Sequence, residues 1–279
     1  MIMGYNALKD RIIGYRFCRP NTLEYSEKLE LFDGAIDKAV KLSGEEILER
    51  QDKIHMGYSG GVDSSLMLLK LLQCDFPVVA HTMASNENHP DLVYATDFVS
   101  FLAKNGKCIE HKKHIVAATA DDLENYKLAV NQPSAERVDE YFMLFKNVHP
   151  HSRSMVQCDC IDELMGGYYA HQKAEERLKS LEESMSKLIP DHLQIAEQTS
   201  NHFSIDVYVP YGDKEVMKAA SLFTIPELVD NERRKKPVYD LAKRNGVPEA
   251  IIKRRKYGLV SALENICLPT EHIKDRRRR

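Results

Sequence analysis

The chain has 279 residues, of which 43% are hydrophobic and 29% charged, with a net charge of −3. This is the composition of a globular protein of one or two domains with a sizeable core, and it gives little support to a nucleic-acid-binding surface. No apolar run is long enough to span a bilayer, no secretory leader is visible, and six scattered cysteines follow no disulfide-scaffold spacing. A cytoplasmic protein with reduced thiols is expected.

In residues 1–50, Leu31, Phe32, Ile36, Ala39 and Val40 recur near helical spacing, which predicts a helix over 27–42. Ser43-Gly44 should end it, with Glu45–Arg50 opening another. Ile54–Tyr58 then alternates as a strand does, and Leu66–Leu72 reads as a buried helix. Between them stands Ser59-Gly60-Gly61-Val62-Asp63-Ser64-Ser65. Two glycines at a strand-to-helix junction allow a tight turn and close approach to a ligand. Backbone N–H groups at the helix start and the hydroxyls of Ser59, Ser64 and Ser65 suit a phosphate. Asp63 makes electrostatic sense beside an anion if it holds Mg²⁺ that the phosphates share. The G-x-x-x-x-G-K-[ST] nucleotide loop is absent, because no lysine follows the glycines.

Beyond the loop, Pro77–Met83 predicts a buried strand, Asp91–Lys104 a helix and Lys107–His114 a third strand. The β-α-β-α-β order argues for a parallel sheet with ligands at the carboxyl ends of its strands. His81, His111 and His114 read as strand or solvated residues rather than metal ligands, since no companion cluster has zinc spacing. Two helices are expected over 121–130 and from a Ser134 cap to Lys146. Cys158-x-Cys160 with His149 and His151 nearby is a weak zinc pattern, because C-x-C is tight for one tetrahedral ion. From Ala170 to Leu188 an apolar stripe predicts an amphipathic helix ended by Pro190. The final Lys274–Arg279 stretch is a basic tail.

The Ser59–Ser65 stretch resembles the SGGxDSS loop of the N-type ATP pyrophosphatases. Four further segments, in order, resemble the synthase domain of the asparagine synthetase family. Asp162, Glu163, Leu164, Gly166, Gly167 and Tyr168 stand in register with SGEGADELFGGY, while Gln157 and Cys158 replace its Ser-Gly. Pro210 and Asp213 match E-x-R-x-PFLD, where Tyr208 stands for the arginine, and Glu197-Gln198 replaces an Asp-Arg pair. Lys236–Ala242 resembles K-x-x-L-R-x-A, and Pro248, Ile251, Arg254, Lys256 and Gly258 match LPxxIxxRxKxG.

The resemblance implies a Rossmann-like α/β fold of the adenine nucleotide alpha hydrolase type: a parallel sheet with helices on both faces and a helical C-terminal elaboration. It implies an N-terminal helical segment over 1–50, the ATP pyrophosphatase domain over 51–262 and a tail over 263–279. Nucleotide contacts are implied for Ser59, Gly60, Gly61, Asp63, Ser64, Ser65, Thr82, Met83, Cys158 and Asp162, with Mg²⁺ on Asp63 and Asp162. Lys256 and Lys236 would neutralise oxyanions, and Asp159 would order or deprotonate a nucleophile. The implied reaction adenylates a small carboxylate with ATP, releases pyrophosphate and forms an amide with ammonia or an amine. Ile2 stands where a glutaminase nucleophile would be Cys, so the nitrogen is expected free or from a separate glutaminase, with no membrane or nucleic-acid partner. Two other classes stay open: a sulfurtransferase modifying tRNA or a nucleobase, with Cys158 or Cys160 as sulfur carrier, and a degenerate nucleotide-binding module.

Overall fold

The computed structural model of the protein describes residues 5–254. Two helices, α1 (Tyr5–Ile13) and α2 (Tyr25–Leu48), precede a sheet of five parallel strands. These are β1 (Ile54–Gly57), β2 (Val78–Ala84), β3 (Ile109–Ile115), β4 (Ser154–Val156) and β5 (Asp206–Tyr208), in the order β3-β2-β1-β4-β5. Every residue of β2 is buried, whereas β3 is only partly covered, as befits a central strand beside an edge.

Helices α3 (Val62–Gln73) and α4 (Pro90–Lys104) link β1 to β2 and β2 to β3. The chain returns through α5 (Ala120–Ala129) and α6 (Glu140–Val148) to β4. The strand order grows first one way from β1 and then the other, so crossovers of the usual right hand place the two sets on opposite faces of the sheet. Between β4 and β5 lie α7 (Ile161–Met165), α8 (Tyr169–Lys173), α9 (Arg177–Leu188), a π-helical turn (Ile189–Leu193) and α10 (Gln194–His202). After β5 come α11 (Lys214–Ala220), α12 (Ile225–Leu228), α13 (Lys236–Arg244) and α14 (Glu249–Lys253). None of the described helices is long and apolar enough to cross a membrane.

Helix α3 is the best-anchored element near the loop. Leu66, Met67, Leu68 and Leu71 are fully buried, each contributing roughly 1.5–3 kcal/mol. Even its Lys70 is buried, with the ammonium 2.6 Å from Asp33 and 2.7 Å from Asp37 of α2. The N-terminal helices share this core through Tyr5, Leu8, Ile12, Phe32 and Ile36.

Four local expectations are corrected. Helix α2 runs unbroken through Ser43-Gly44, and Gly44 is small because a Cβ there would overlap the Phe76 ring. Pro190 ends nothing: it sits in the π-helical segment that follows α9 without a break, and the chain continues into α10. The stripe over 170–188 is two helices, α8 and α9, rather than one. The cap of α6 is Asp139, whose carboxylate accepts from the Tyr141 N–H at 2.9 Å, not Ser134.

Candidate active site

Because β1 feeds β2 on one side while β4 lies on its other side, the strand order reverses between β1 and β4. Crevices at such a point receive ligands in open parallel sheets. The turn after β1 and the turn after β4 meet there, in a cavity of about 270 Å³.

The first wall is the Ser59–Ser65 turn. Gly60 has φ of +65°, and a Cβ would fall 2.9 Å from Ala95 N and from Asp91 O, so the turn requires glycine to lie against α4. Arg254 braces it from behind: one guanidinium nitrogen is 2.6 Å from Asp91, and the other donates to Ser59 O at 3.1 Å. Both members of that ion pair are buried. Tyr211, in the Pro210–Gly212 turn, donates its hydroxyl to Asp63 O at 2.9 Å and fixes the start of α3.

The second wall follows β4. Gln157 continues the ladder by donating its N–H to Tyr208 O, and its amide lies over Gly57, where no side chain would fit. Cys160 takes φ of +67° to cap α7, a left-handed position that L side chains rarely adopt. This turn aims Cys158, Asp159 and Asp162 into the cavity. Asp159 accepts hydrogen bonds from Tyr141 at 2.7 Å and Tyr5 at 2.9 Å. Burial pushes its carboxyl above the usual range, and the two hydroxyls oppose that rise. Burial likewise pushes up the Cys160 thiol and the Glu163 carboxyl, the latter bonded by the Tyr168 hydroxyl.

Across the gap, Lys235 joins the two walls. Its ammonium lies 2.7 Å from Asp63 Oδ2 and 2.6 Å from Asp162 Oδ1, and the residue is only 3% exposed. The two carboxylates therefore converge on one cation-sized point. Gly167 permits this, since a Cβ there would overlap both Asp162 Oδ1 and Lys235 Cε. Beside it, Arg234 donates to Gly167 O and stacks 3.7 Å over the Tyr169 ring.

The structure brings together Ser59, Gly61, Asp63, Ser64, Met83, Cys158, Asp159 and Asp162 along the cavity. It turns four expected residues away. Gly60 packs on α4, and Ser65 is fully buried with its hydroxyl 3.1 Å from that of Tyr58. Thr82 points to the opposite face of β2 and ties it to β1 by donating to Tyr58 O. Lys236 reaches Asp230 and Pro226 O instead. Lys256 and the segment over 263–279 lie outside the described residues. Sequence reasoning missed Lys235, Arg234, Tyr5, Tyr141 and Tyr169 as site residues. For Lys235 a signal existed: Pro237 marks the first turn of α13, which leaves Lys235 as its cap at the cleft rather than on the helix surface.

His81 was expected to be an ordinary strand residue, yet it lines the cavity and bonds His55 at 2.8 Å and His114 at 2.9 Å. Burial holds His55 and His114 down at about 4 and His81 at about 2. His81 spends its two nitrogens on different neighbours, so this row does not converge on a point. His149 is bonded to Phe203 O, away from the cysteines. Among the described residues no group of three or more His, Cys, Asp or Glu could hold a metal ion. A Mg²⁺ shared with phosphates needs only one or two carboxylates, and the convergent Asp63 and Asp162 fit that requirement.

Fold and site together define the class: an α/β protein with a Ser-Gly-Gly-Val-Asp-Ser-Ser turn at the switch point of a 3-2-1-4-5 parallel sheet. Within that class the chain is similar to an asparagine synthetase. It is 28% identical over 202 residues to the "Putative asparagine synthetase, glutamine-hydrolyzing, 1" of Methanocaldococcus jannaschii. The match covers 66% of this chain and 35% of that protein, so the chain spans about a third of its relative's length. The structure of NMN synthetase from Francisella tularensis aligns over 88% of this chain and 79% of that one, with TM-score 0.41 and 14% identity. No family model matches the chain.

Proposed function

We propose that the protein is an ATP-dependent, AMP-forming carbon–nitrogen ligase. In this reading it adenylates a small carboxylate, releases pyrophosphate and passes the acyl group to ammonia or an amine. The observation that carries the reading is the convergence of Asp63, from the loop, and Asp162, from the turn after β4, at the switch point. The loop's N–H groups and the hydroxyls of Ser59 and Ser64 would take the β- and γ-phosphates. Mg²⁺ held by the two aspartates would neutralise charge developing on the leaving pyrophosphate.

The substrate carboxylate attacks the α-phosphorus, and the α–β bridging oxygen leaves with the pyrophosphate. Arg234 supplies positive charge on the wall facing the loop, suited to a carboxylate or acyl-phosphate oxygen. The nitrogen nucleophile then displaces AMP and must lose a proton. Asp159, a carboxylate lining the cavity and held by its two tyrosine bonds, is suited to accept it.

Incubation with ATP, Mg²⁺, ammonia and a panel of small acids, scored for AMP, pyrophosphate and amide mass, tests the proposal. AMP and an amide are expected; ADP and orthophosphate would overturn it. A second reading, sulfur transfer, has one observation in its favour: the Cys158 thiol lines the cavity. Pyrophosphate release that needs a persulfide donor instead of ammonia, and is lost in Cys158→Ser, would select it.

A further inference from the structure

We infer that Lys235 is a resident counter-ion occupying the seat of the divalent cation, and that a metal enters between Asp63 and Asp162 only as the ammonium leaves. This deepens the proposed function and rests on its assignment of that seat to Mg²⁺. Three observations carry it.

The first is distance. An ammonium 2.6–2.7 Å from both carboxylates fills the point on which their oxygens converge. A Mg²⁺ held by the same two oxygens would be brought close to the ammonium, and like charges at that range repel. The seat takes one cation or the other.

The second is the way the arrangement is built. Lys235 has φ of +50°, a left-handed conformation for a residue with a full side chain. Gly167 is bare where any Cβ would overlap both the aspartate and the lysine stem. Arg234, clamped between Gly167 O and the Tyr169 ring, holds the next residue in place. Backbone strain and an absent side chain are both spent on bringing this ammonium here.

The third is a place to go. Lys235 lines the cavity, and so do Ser59, Gly61 and Ser64 of the loop. Phosphate oxygens arriving on the loop offer the ammonium a new anionic partner. The same oxygens complete the coordination of a metal that two carboxylates alone hold weakly. Cation and nucleotide therefore enter together, while Lys235 keeps the cleft neutralised and closed to free divalent ions until then.

The test is calorimetric titration of Mn²⁺ into the full chain without nucleotide, comparing wild type with Lys235→Met. Removing the ammonium should tighten Mn²⁺ binding by about tenfold or more, since a competing cation and its repulsion are gone. Repeating the titration with a non-hydrolysable ATP analogue should raise wild-type affinity for Mn²⁺ far more than that of the variant, by the reciprocity of linked binding. Equal Mn²⁺ affinities of the two proteins without nucleotide would overturn the exchange, even if the analogue binds and the ligase reading stands. Failure of wild type to bind the analogue would instead sink the ligase reading, while the metal-only comparison still decides the exchange. If Lys235→Met does not fold, Lys235→Gln takes its place. Refolding of either variant by millimolar Mg²⁺, without effect on wild type, supports the proposal. Variants that stay unfolded with Mg²⁺ present make Lys235 a structural residue and overturn it.

Discussion

On one side of the cleft, the Tyr58–Ser65 turn takes its shape from eight consecutive residues between a buried strand and a buried helix. On the other, the working surface is assembled from Tyr5 in the first helix, Tyr141, the turn after β4, and the Arg234-Lys235 pair. The contiguous wall is held by backbone geometry and a buried brace. The assembled wall is held by hydrogen bonds and ion pairs between distant side chains. The departures at Gln157, Cys158 and Tyr208 fall on or behind the second wall, while all seven loop positions keep their pattern.

That contrast can be broken at its brace. Arg254→Ala should destabilise the protein by about 3–5 kcal/mol in urea titration, because Asp91 is left charged and buried with its partner gone. Pyrophosphate release should fall as well, since Ser59 loses its anchor. A change below about 1 kcal/mol would mean that the loop holds its own shape.

The assembled wall should respond more mildly and with pH. Tyr141→Phe removes one of two hydroxyl donors to Asp159 and should cost about 1.5–3 kcal/mol near neutral pH. The sign follows from the carboxyl. Its folded-state value already lies above the ordinary one, so the folded protein binds that proton more readily than the unfolded chain. The resulting stabilisation is full below the ordinary carboxylate range and is lost as pH rises through the raised value. Removing a donor to the ionised form raises that value further. The deficit of Tyr141→Phe should therefore grow from acid to neutral pH, and a deficit that does not vary with pH would show that Asp159 does not titrate in this range.

The smallest effect sharpens the comparison most. Lys236→Ala should change stability by less than about 1 kcal/mol, because its bond to Asp230 is partly solvated, and should leave turnover near wild type. Its neighbour Lys235 stands between both carboxylates. Equal losses of activity for alanine variants at 235 and 236 would remove the distinction between them.

The sequence alone determined the fold class and the first wall. Period-two and near-continuous apolar runs separated by helical stripes allow little besides a parallel α/β sheet, and Ser59–Ser65 is a local motif readable in one stretch of chain. It also determined that the turn after β4 carries acidic residues, Asp159 and Asp162. Only the tertiary structure decided which lysine faces them, because one step along the chain at the cap of α13 turns Lys235 inward and Lys236 outward. It decided too that Ser65 and Thr82, polar residues in the right segments, spend their hydroxyls inside the fold on Tyr58. It brought Tyr5 onto Asp159 across 154 residues of chain. Local patterns fix backbone conformation, since that depends on near neighbours. Which side chains share a buried cleft depends on long-range packing, to which one-dimensional spacing is blind.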